Sequence, residues 1–149
     1  MPRFRILVLS ALVACLALPA LPAAPAAASA EDQMIAKINS YRAKHGLPGV
    51  RKSKSLTRSA ERYSWKMMRS GYFGHSSRIQ ASSKYRRLGE ILAYTTRVRP
   101  SEAFRMWLNS PGHKALIMDG GFRYAGAGVA SGRFRGRKAT LWTVHFGAR

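Results

Sequence analysis

The chain is poor in cysteine and in acidic residues. Its 149 residues include a single cysteine, Cys15, and only six Asp and Glu. If Cys15 is removed with the N-terminal segment described below, the remaining chain has neither disulfides nor a thiol nucleophile. No stretch after residue 30 is apolar enough to anchor the chain in a membrane. These absences argue against a disulfide-stabilised scaffold, a cysteine-dependent enzyme and a later membrane anchor.

The first 30 residues have the layout of a secretory signal peptide. Arg3 and Arg5 form a positive region, residues 6–18 an apolar region, and residues 28–30 (Ala-Ser-Ala) an A-x-A cleavage signature. The apolar region is too short for a membrane-spanning helix. We therefore predict cleavage after Ala30 and a protein that is secreted or associated with the cell wall.

The only cysteine suggests a second way of processing the N-terminus. Leu12-Val13-Ala14-Cys15 resembles a bacterial lipoprotein cleavage box, in which Cys15 would carry a lipid anchor. The apolar run continues past Cys15, however, and a clearer cleavage signature follows it. Simple secretion is favoured because the full three-part layout fits better than one tetrapeptide.

Residues 31–149 have the length of one domain and a strongly basic composition. Removing Arg3 and Arg5 leaves 24 of the 26 Lys and Arg, against six Asp and Glu. Such a surface favours contact with polyanions, including anionic cell-wall polymers and anionic membranes. The cations are scattered along the chain and do not form one run, so specific recognition of nucleic acid is not predicted.

Two of the four histidines frame one of the six carboxylates. His75 ends the motif YFGH, Glu90 follows Gly89, and His113 ends the motif NSPGH. Two imidazoles are good zinc ligands but leave the tetrahedron open. Glu90 could be a third ligand, a partner that orients one imidazole, or a base acting on bound water. The simpler interpretation is a buried hydrogen-bond network that fixes the surrounding loops.

Hydrophobic periodicity predicts helices first and a hairpin last, which is typical of the α+β class. Residues 88–94 and 124–130 are short apolar segments, and residues 141–146 have strand composition. Residues 131–138, with two glycines and four bases, are predicted to form an exposed hairpin loop. The predicted helices cover residues 32–45, 54–70, 100–109 and 111–117.

Two residues near the motifs have ordinary structural interpretations. Ser110 stands beside His113, but Ser followed by Pro is typical of a helix start, so we predict an N-cap and not a hydrolase pair. His145 alternates with Val144 and Phe146. It is predicted to lie on the polar face of a strand, with the cleft as the less favoured position.

Six segments, taken in chain order, carry the pattern of one family. They are Ile38–Arg42 with Gly46–Pro48, Leu56–Ala60 with Met68, Tyr72–Ser76, Gly89–Ala93, Trp107–Met118, and the closing pair Gly126–Val129 and Leu141–Gly147. Together they resemble the CAP superfamily (cysteine-rich secretory proteins, antigen 5, pathogenesis-related 1) in its short bacterial secreted form. The resemblance covers nearly all of residues 31–149, which we predict to be a single CAP domain.

The resemblance implies an α-β-α sandwich, with three to four helices around a small, mostly antiparallel sheet. It also implies a central cleft where divalent metal, usually zinc, is found in some members. Carried over by residue, His75, Glu90 and His113 form the cleft, and His75 and His113 are the metal ligands.

The chain departs from the family pattern near this cleft. Larger members have a second Glu shortly after the helix Trp, where this chain has Leu108-Asn109-Ser110. The Asn after the motif Glu is Ile91 here, and the Asn three residues after the second His is Leu116. The loss of these polar groups argues against a conventional catalytic arrangement.

Three functions are consistent with the sequence. The favoured one is a monomeric, secreted binding module whose cleft holds a divalent metal or a small apolar ligand, since the resemblance implies sterols and lipids. The second is a zinc-assisted hydrolase, with His75 and His113 as ligands and Glu90 as base and candidate catalytic residue. The third is a cationic effector that binds anionic cell-wall polymers or membranes. The sequence favours a binding function over enzymatic activity.

Overall fold

The computed structural model describes residues 27–149. Cys15 and all but the last four residues of the predicted signal peptide lie outside the described residues. Within the described part, no helix combines the length and the apolar character needed to cross a membrane. The elements of this part are α1 (Ala30–Lys44), β1 (Arg51–Lys52), α2 (Lys54–Ser70), β2 (Arg87–Thr95), α3 (Pro100–Leu108), α4 (Pro111–Met118), β3 (Tyr124–Phe134) and β4 (Arg137–Ala148).

The four strands form one sheet in the order β1-β3-β4-β2. The short β1 runs parallel to β3, whereas β3 with β4 and β4 with β2 are antiparallel. β2 is therefore an edge strand. The loop of residues 71–86, which carries the YFGH motif, leads directly into this edge.

Helices cover both faces of the sheet because strand side chains alternate between the faces. Val144 and Phe146 point to the face covered by α1, α3 and α4, and are fully buried there. Leu141 points to the opposite face, where it packs with Met67 of α2. The predicted α+β fold, an α-β-α sandwich around a mostly antiparallel sheet, is confirmed.

Helix α2 rests on the backbone of β3, and two glycines make this contact possible. A Cβ atom at Gly126 would collide with the backbone nitrogen of Thr57, and one at Gly128 would collide with that of Glu61. Neither collision could be relieved without moving the whole of α2 away from the sheet. β3 is continuous through both glycines.

A buried guanidinium fastens α1 to the chain around α4. Arg42 is fully buried and has no carboxylate partner among residues 27–149. It donates to the backbone oxygens of Pro48 at 2.9 Å, Ile117 at 2.8 Å, Asp119 at 3.0 Å and Phe122 at 3.1 Å. Burial lowers the pKa of Arg42. Four carbonyl acceptors satisfy a cation that would otherwise be costly to bury.

The β3–β4 connection is shorter than the sequence predicts. Residues 131–138 are not a loop, because β3 continues to Phe134 and β4 begins at Arg137. Only Arg135 and Gly136 form the turn, with positive φ angles of 49° and 81°. Positive φ at both central positions gives the tight hairpin turn whose twist matches the flanking strands. Glycine and charge were misleading as loop signals here, since an exposed two-stranded ribbon tolerates both.

Helix α1 begins at Ala30, the residue after which cleavage is predicted. Ser29 occupies the N-cap position, and its Oγ accepts a hydrogen bond from the backbone N–H of Asp32 at 3.1 Å. The predicted cleavage after Ala30 would remove this cap, and the loss of such a cap typically costs about 1 kcal/mol.

The contact between α2 and β3 predicts a strong effect of Gly128→Ala. The added methyl group collides with helix backbone and not with a flexible side chain, so we expect a loss of about 3 kcal/mol or more in the free energy of unfolding. The matched control is Gly132→Ala on the same strand, where the nearest atom to the new Cβ is the Met68 sulfur at 3.8 Å. Urea unfolding measures both, and equal stability of the two variants would contradict the close contact.

Candidate functional site

Glu90 is a buried carboxylate on β2, and both of its oxygens accept hydrogen bonds. Oε1 accepts from the backbone N–H of Ser76 at 2.8 Å and from Nδ1 of His75 at 2.9 Å. Oε2 accepts from Nε2 of His145 at 2.8 Å. Glu90 therefore connects β2 with β4 and with the loop of residues 71–86.

His145 belongs to this cluster, although the sequence favoured a position elsewhere. It is 1% exposed, it faces α2, and it stands directly opposite Glu90 in the β2–β4 register. The predicted polar face is thus real, but α2 covers it. Alternation with Val144 and Phe146 was the available signal for the face, whereas the register that pairs His145 with Glu90 could not be deduced from either strand alone.

The hydrogen bonds keep Glu90 ionised. Burial by itself raises the pKa of this carboxyl, but the hydrogen bonds from His145, from Ser76 and from His75 outweigh burial and lower the pKa to about 2. A carboxylate with so low a pKa is a poor proton acceptor near pH 7. Its chemistry in this structure is that of an acceptor that positions its neighbours.

Glu90 fixes the tautomers of both imidazoles. An ionised carboxylate only accepts hydrogen bonds, so the nitrogens that face it carry the protons. In its neutral form His75 therefore keeps Nε2 free, and its side chain is 62% exposed. In the neutral form of His145 the unprotonated nitrogen is Nδ1, a buried atom that has no hydrogen-bond partner among the described residues. The carboxylate of Glu90 thus orients two imidazoles, that of His75 at the surface and that of His145 in the interior.

His113 lies beside His75 and makes no hydrogen bond to Glu90. It is the third residue of α4, and its ring centroid is 6.4 Å from that of His75. Burial lowers the pKa of His113, and the neighbouring His75 lowers it further. The ring is therefore neutral at pH 7. The structure brings the three predicted cleft residues together, with His75 in the middle.

The cluster fits an open metal site of two imidazoles and does not fit a closed one. Within residues 27–149, no group of three or more His, Cys, Asp or Glu is arranged to hold a metal ion. The oxygens of Glu90 are directed at His75, Ser76 and His145, so Glu90 orients an imidazole and does not form a three-ligand group with His75 and His113. The ring centroids of His75 and His113 are 6.4 Å apart, and a shared tetrahedral ion with bonds of about 2.1 Å would require the two rings to move closer. Water or ligand atoms would complete the coordination.

Two apolar residues that stand where the CAP pattern has Asn lie outside the cluster. Ile91 points to the opposite face of β2 from Glu90 and is fully buried in the core beneath α1 and α3. Leu116 is partly buried and packs on the same core. Ser110 stands at the N-cap position of α4, as predicted, but its hydroxyl makes no capping hydrogen bond.

A cavity of about 390 Å³ opens beside the cluster, between α2 and the loop of residues 71–86. His75 and His145 line the part of its wall that belongs to the cluster. Tyr63 of α2 lines another part and donates a hydrogen bond from its hydroxyl to the backbone oxygen of Gly74 at 2.6 Å. Burial, with the nearby charge of Glu90, raises the pKa of Tyr63 to about 12. The phenol therefore stays protonated and holds the loop.

Comparison with known proteins identifies the family. The sequence model of the cysteine-rich secretory protein family, CAP, matches residues 35–146. The chain therefore belongs to the CAP family, and its relatives mark it as a CAP-domain protein of bacterial type.

The relatives share the fold and, in part, the sequence. The uncharacterized protein YkwD of Bacillus subtilis (strain 168) is 30% identical over 126 residues, which cover 78% of this chain and 46% of YkwD. An extracellular SCP-domain protein from Bacillus anthracis has a TM-score of 0.68 at 22% identity, covering 80% of this chain and 40% of that one. An outer surface protein from Borrelia burgdorferi has a TM-score of 0.67 at 20% identity, covering 78% of this chain and 90% of that one. The chain covers less than half the length of YkwD and less than half that of the Bacillus anthracis protein.

The low pKa of Glu90 predicts a specific acid sensitivity. The folded-state pKa of about 2 lies below the ordinary 4.5, so the stabilisation is complete above pH 4.5 and is lost as the pH falls toward 2. Glu90→Gln should cost about 2–3 kcal/mol near pH 6, and the difference from the wild type should shrink on acidification. Unfolding in urea at several pH values measures this difference. The control is Glu102→Gln, whose carboxylate accepts no hydrogen bond in the described structure; a constant deficit for Glu90→Gln at every pH would contradict the prediction.

Proposed function

We propose that this chain is a secreted bacterial binding module that uses the cleft at His75 and Glu90 to hold a ligand. The state of Glu90 is the observation that carries the proposal. All of its hydrogen bonds are made to groups that it positions, and its pKa of about 2 leaves little affinity for a proton. Such a carboxylate is suited to orienting imidazoles and poorly suited to general-base catalysis.

Secretion is supported by two independent features. The first 30 residues have the three-part layout of a signal peptide. The Bacillus anthracis relative with the same fold is described as extracellular. A lipid anchor at Cys15 is the alternative for the same compartment, and N-terminal sequencing of the exported protein distinguishes cleavage after Ala30 from cleavage before Cys15.

A divalent metal, with zinc as the first choice, is the ligand we propose for the two imidazoles. His75 offers a free, exposed Nε2 whose ring is held by Glu90, and His113 is a neutral ring next to it. Neutral, oriented imidazole is the form that binds zinc. A zinc ion held in this way would polarise an oxygen of a second ligand.

The zinc-assisted hydrolase is the weaker proposal, because it needs Glu90 as a base. A sterol or other small apolar ligand is a second candidate occupant, because apolar atoms form the larger part of the wall of the cavity beside the cluster. Charged and hydroxyl side chains also line this wall, so a ligand that covers them must offer each of them a hydrogen bond.

Calorimetric titration with zinc tests the metal proposal. We expect one ion per wild-type chain and a loss of at least tenfold in affinity for His75→Ala and for His113→Ala, since each removes one ligand. Glu90→Gln should also weaken binding by about tenfold through the misoriented His75 ring. His45→Ala, at the exposed end of α1, is the control and should bind like the wild type. Equal zinc affinity in the His75→Ala/His113→Ala double variant would show that the cleft is not the metal site.

Turnover assays test the choice between binding module and hydrolase. The zinc-treated protein is incubated with peptide, ester and nucleic-acid substrates, and no turnover that depends on Glu90 is expected. Turnover that is present in the wild type and absent in a folded Glu90→Gln variant would overturn the binding-module proposal.

A further inference from the structure

Three cations line the cavity between α2 and the loop of residues 71–86. Arg62 and Lys66 are four residues apart on α2, so their side chains share one face of the helix. Arg78 contributes from the loop on the other side. None of the residues that line this cavity is acidic. The cavity therefore differs from the general surface in bringing three exposed cations from two elements to one concave wall.

No carboxylate of the described residues neutralises these three cations. The Asp and Glu that form ion pairs do so with Lys52, with Arg87 and with the histidines around Glu90. Arg62 donates to the backbone oxygen of Gln80 at 3.0 Å, which ties the loop to α2 and leaves its other N–H groups available. Cations without a carboxylate partner that line one concave surface favour an anion there, because their N–H groups can form charge-assisted hydrogen bonds with its oxygens.

His145 adds a second, independent feature to the same wall. The residue lines the cavity and is 1% exposed, and its Nδ1 has no hydrogen-bond partner among the described residues. Since Glu90 holds a proton on Nε2, Nδ1 of the neutral ring accepts a hydrogen bond. Buried polar atoms are nearly always satisfied in native proteins. A hydroxyl of a bound molecule is a donor of the required kind.

We propose that this cavity binds the oxyanion group of a small hydroxylated ligand, such as a phosphate ester or a carboxylated sugar. Arg62, Lys66 and Arg78 hold the anion, and Nδ1 of His145 accepts a hydrogen bond from a ligand hydroxyl. The volume of about 390 Å³ suits one such unit. The inference deepens the binding function proposed above and rests on it, by naming the class of ligand. Units of this chemistry occur in anionic polymers, which connects the cavity with the basic composition of the chain.

The alternative is adhesion through scattered surface charge, and the chain supplies a matched control for it. Lys44 at the end of α1 and Arg105 of α3 are both exposed, and their helices pack on the opposite face of the sheet from α2. Removing these two charges changes the net charge by the same amount as removing Lys66 and Arg78. A local site makes the ligand affinities of the two double variants differ, whereas adhesion through scattered charge weakens both equally.

The test is calorimetric titration of the metal-free protein with glycerol phosphate and, separately, with glucuronate, at about 0.15 M salt to screen long-range charge. We expect one-to-one binding of at least one of the two, and a loss of about tenfold or more in Lys66→Gln/Arg78→Gln. Lys44→Gln/Arg105→Gln should bind like the wild type. The preferred ligand tells a phosphate ester from a carboxylated sugar as the source of the oxyanion.

The outcomes separate this inference from the metal proposal. His113→Ala removes a proposed zinc ligand that does not line the cavity, so it should keep full affinity for the oxyanion ligand. In nitrogen NMR spectra, the Nδ1 signal of His145 should shift when the ligand is added, whereas that of His45 should not. No binding of either ligand, equal weakening in both pairs of variants, or an unchanged His145 signal would overturn the inference.

Discussion

A single buried carboxylate organises the cleft of this CAP domain. Glu90 lies on an edge strand, where its two oxygens reach the neighbouring strand through His145 and the preceding loop through His75 and Ser76. Acidic residues are rare in this chain, with six Asp and Glu against 26 Lys and Arg, and Glu90 is one that is buried. Its hydrogen bonds more than offset the cost of burial, as the low pKa shows. Because it is ionised, both imidazoles are oriented and both keep one nitrogen available.

The cavity depends on a second constraint, the direct seating of α2 on β3. Gly126 and Gly128 let the helix backbone approach the strand backbone, which fixes the distance between α2 and the sheet. That distance buries His145 and sets the position of Arg62 and Lys66 at the cavity wall. The hydrogen bond from the Tyr63 hydroxyl closes the other side by holding the loop. The site is thus assembled from a close backbone contact, one carboxylate and one phenol.

Much of the fold could be predicted from the sequence, because strong local signals coincide with element ends. The periodic stripe of α2 ends at Gly71, whose positive φ of 65° stops the helix at Ser70 as the pattern indicates. The hairpin turn was harder, since a tight turn at Arg135-Gly136 and a longer basic loop look alike in composition. Arg42 was not predicted as a buried cation, because its carbonyl partners come from segments up to 80 positions away.

The candidate site was predictable only in part, for a physical reason. His75, Glu90 and His113 stand out through their motifs, and the structure places them next to one another. His145 has no motif, and its partnership with Glu90 depends on the register of two strands 55 positions apart. The basic cavity depends on the loop of residues 71–86 lying over α2. Strand register and loop position depend on tertiary contacts between distant segments, whereas a motif is a local feature of the sequence.

The central claim is that Glu90 acts as an ionised acceptor that fixes two imidazoles in opposite tautomers. Nitrogen NMR of the histidine rings at neutral pH tests this claim most directly, because it reports which nitrogen carries the proton. The account predicts a proton on Nδ1 of His75 and on Nε2 of His145 in the wild type, and mixed tautomers for both rings in Glu90→Gln. A wild-type His145 protonated on Nδ1 alone, or tautomers that do not change when Glu90 is replaced, would contradict it.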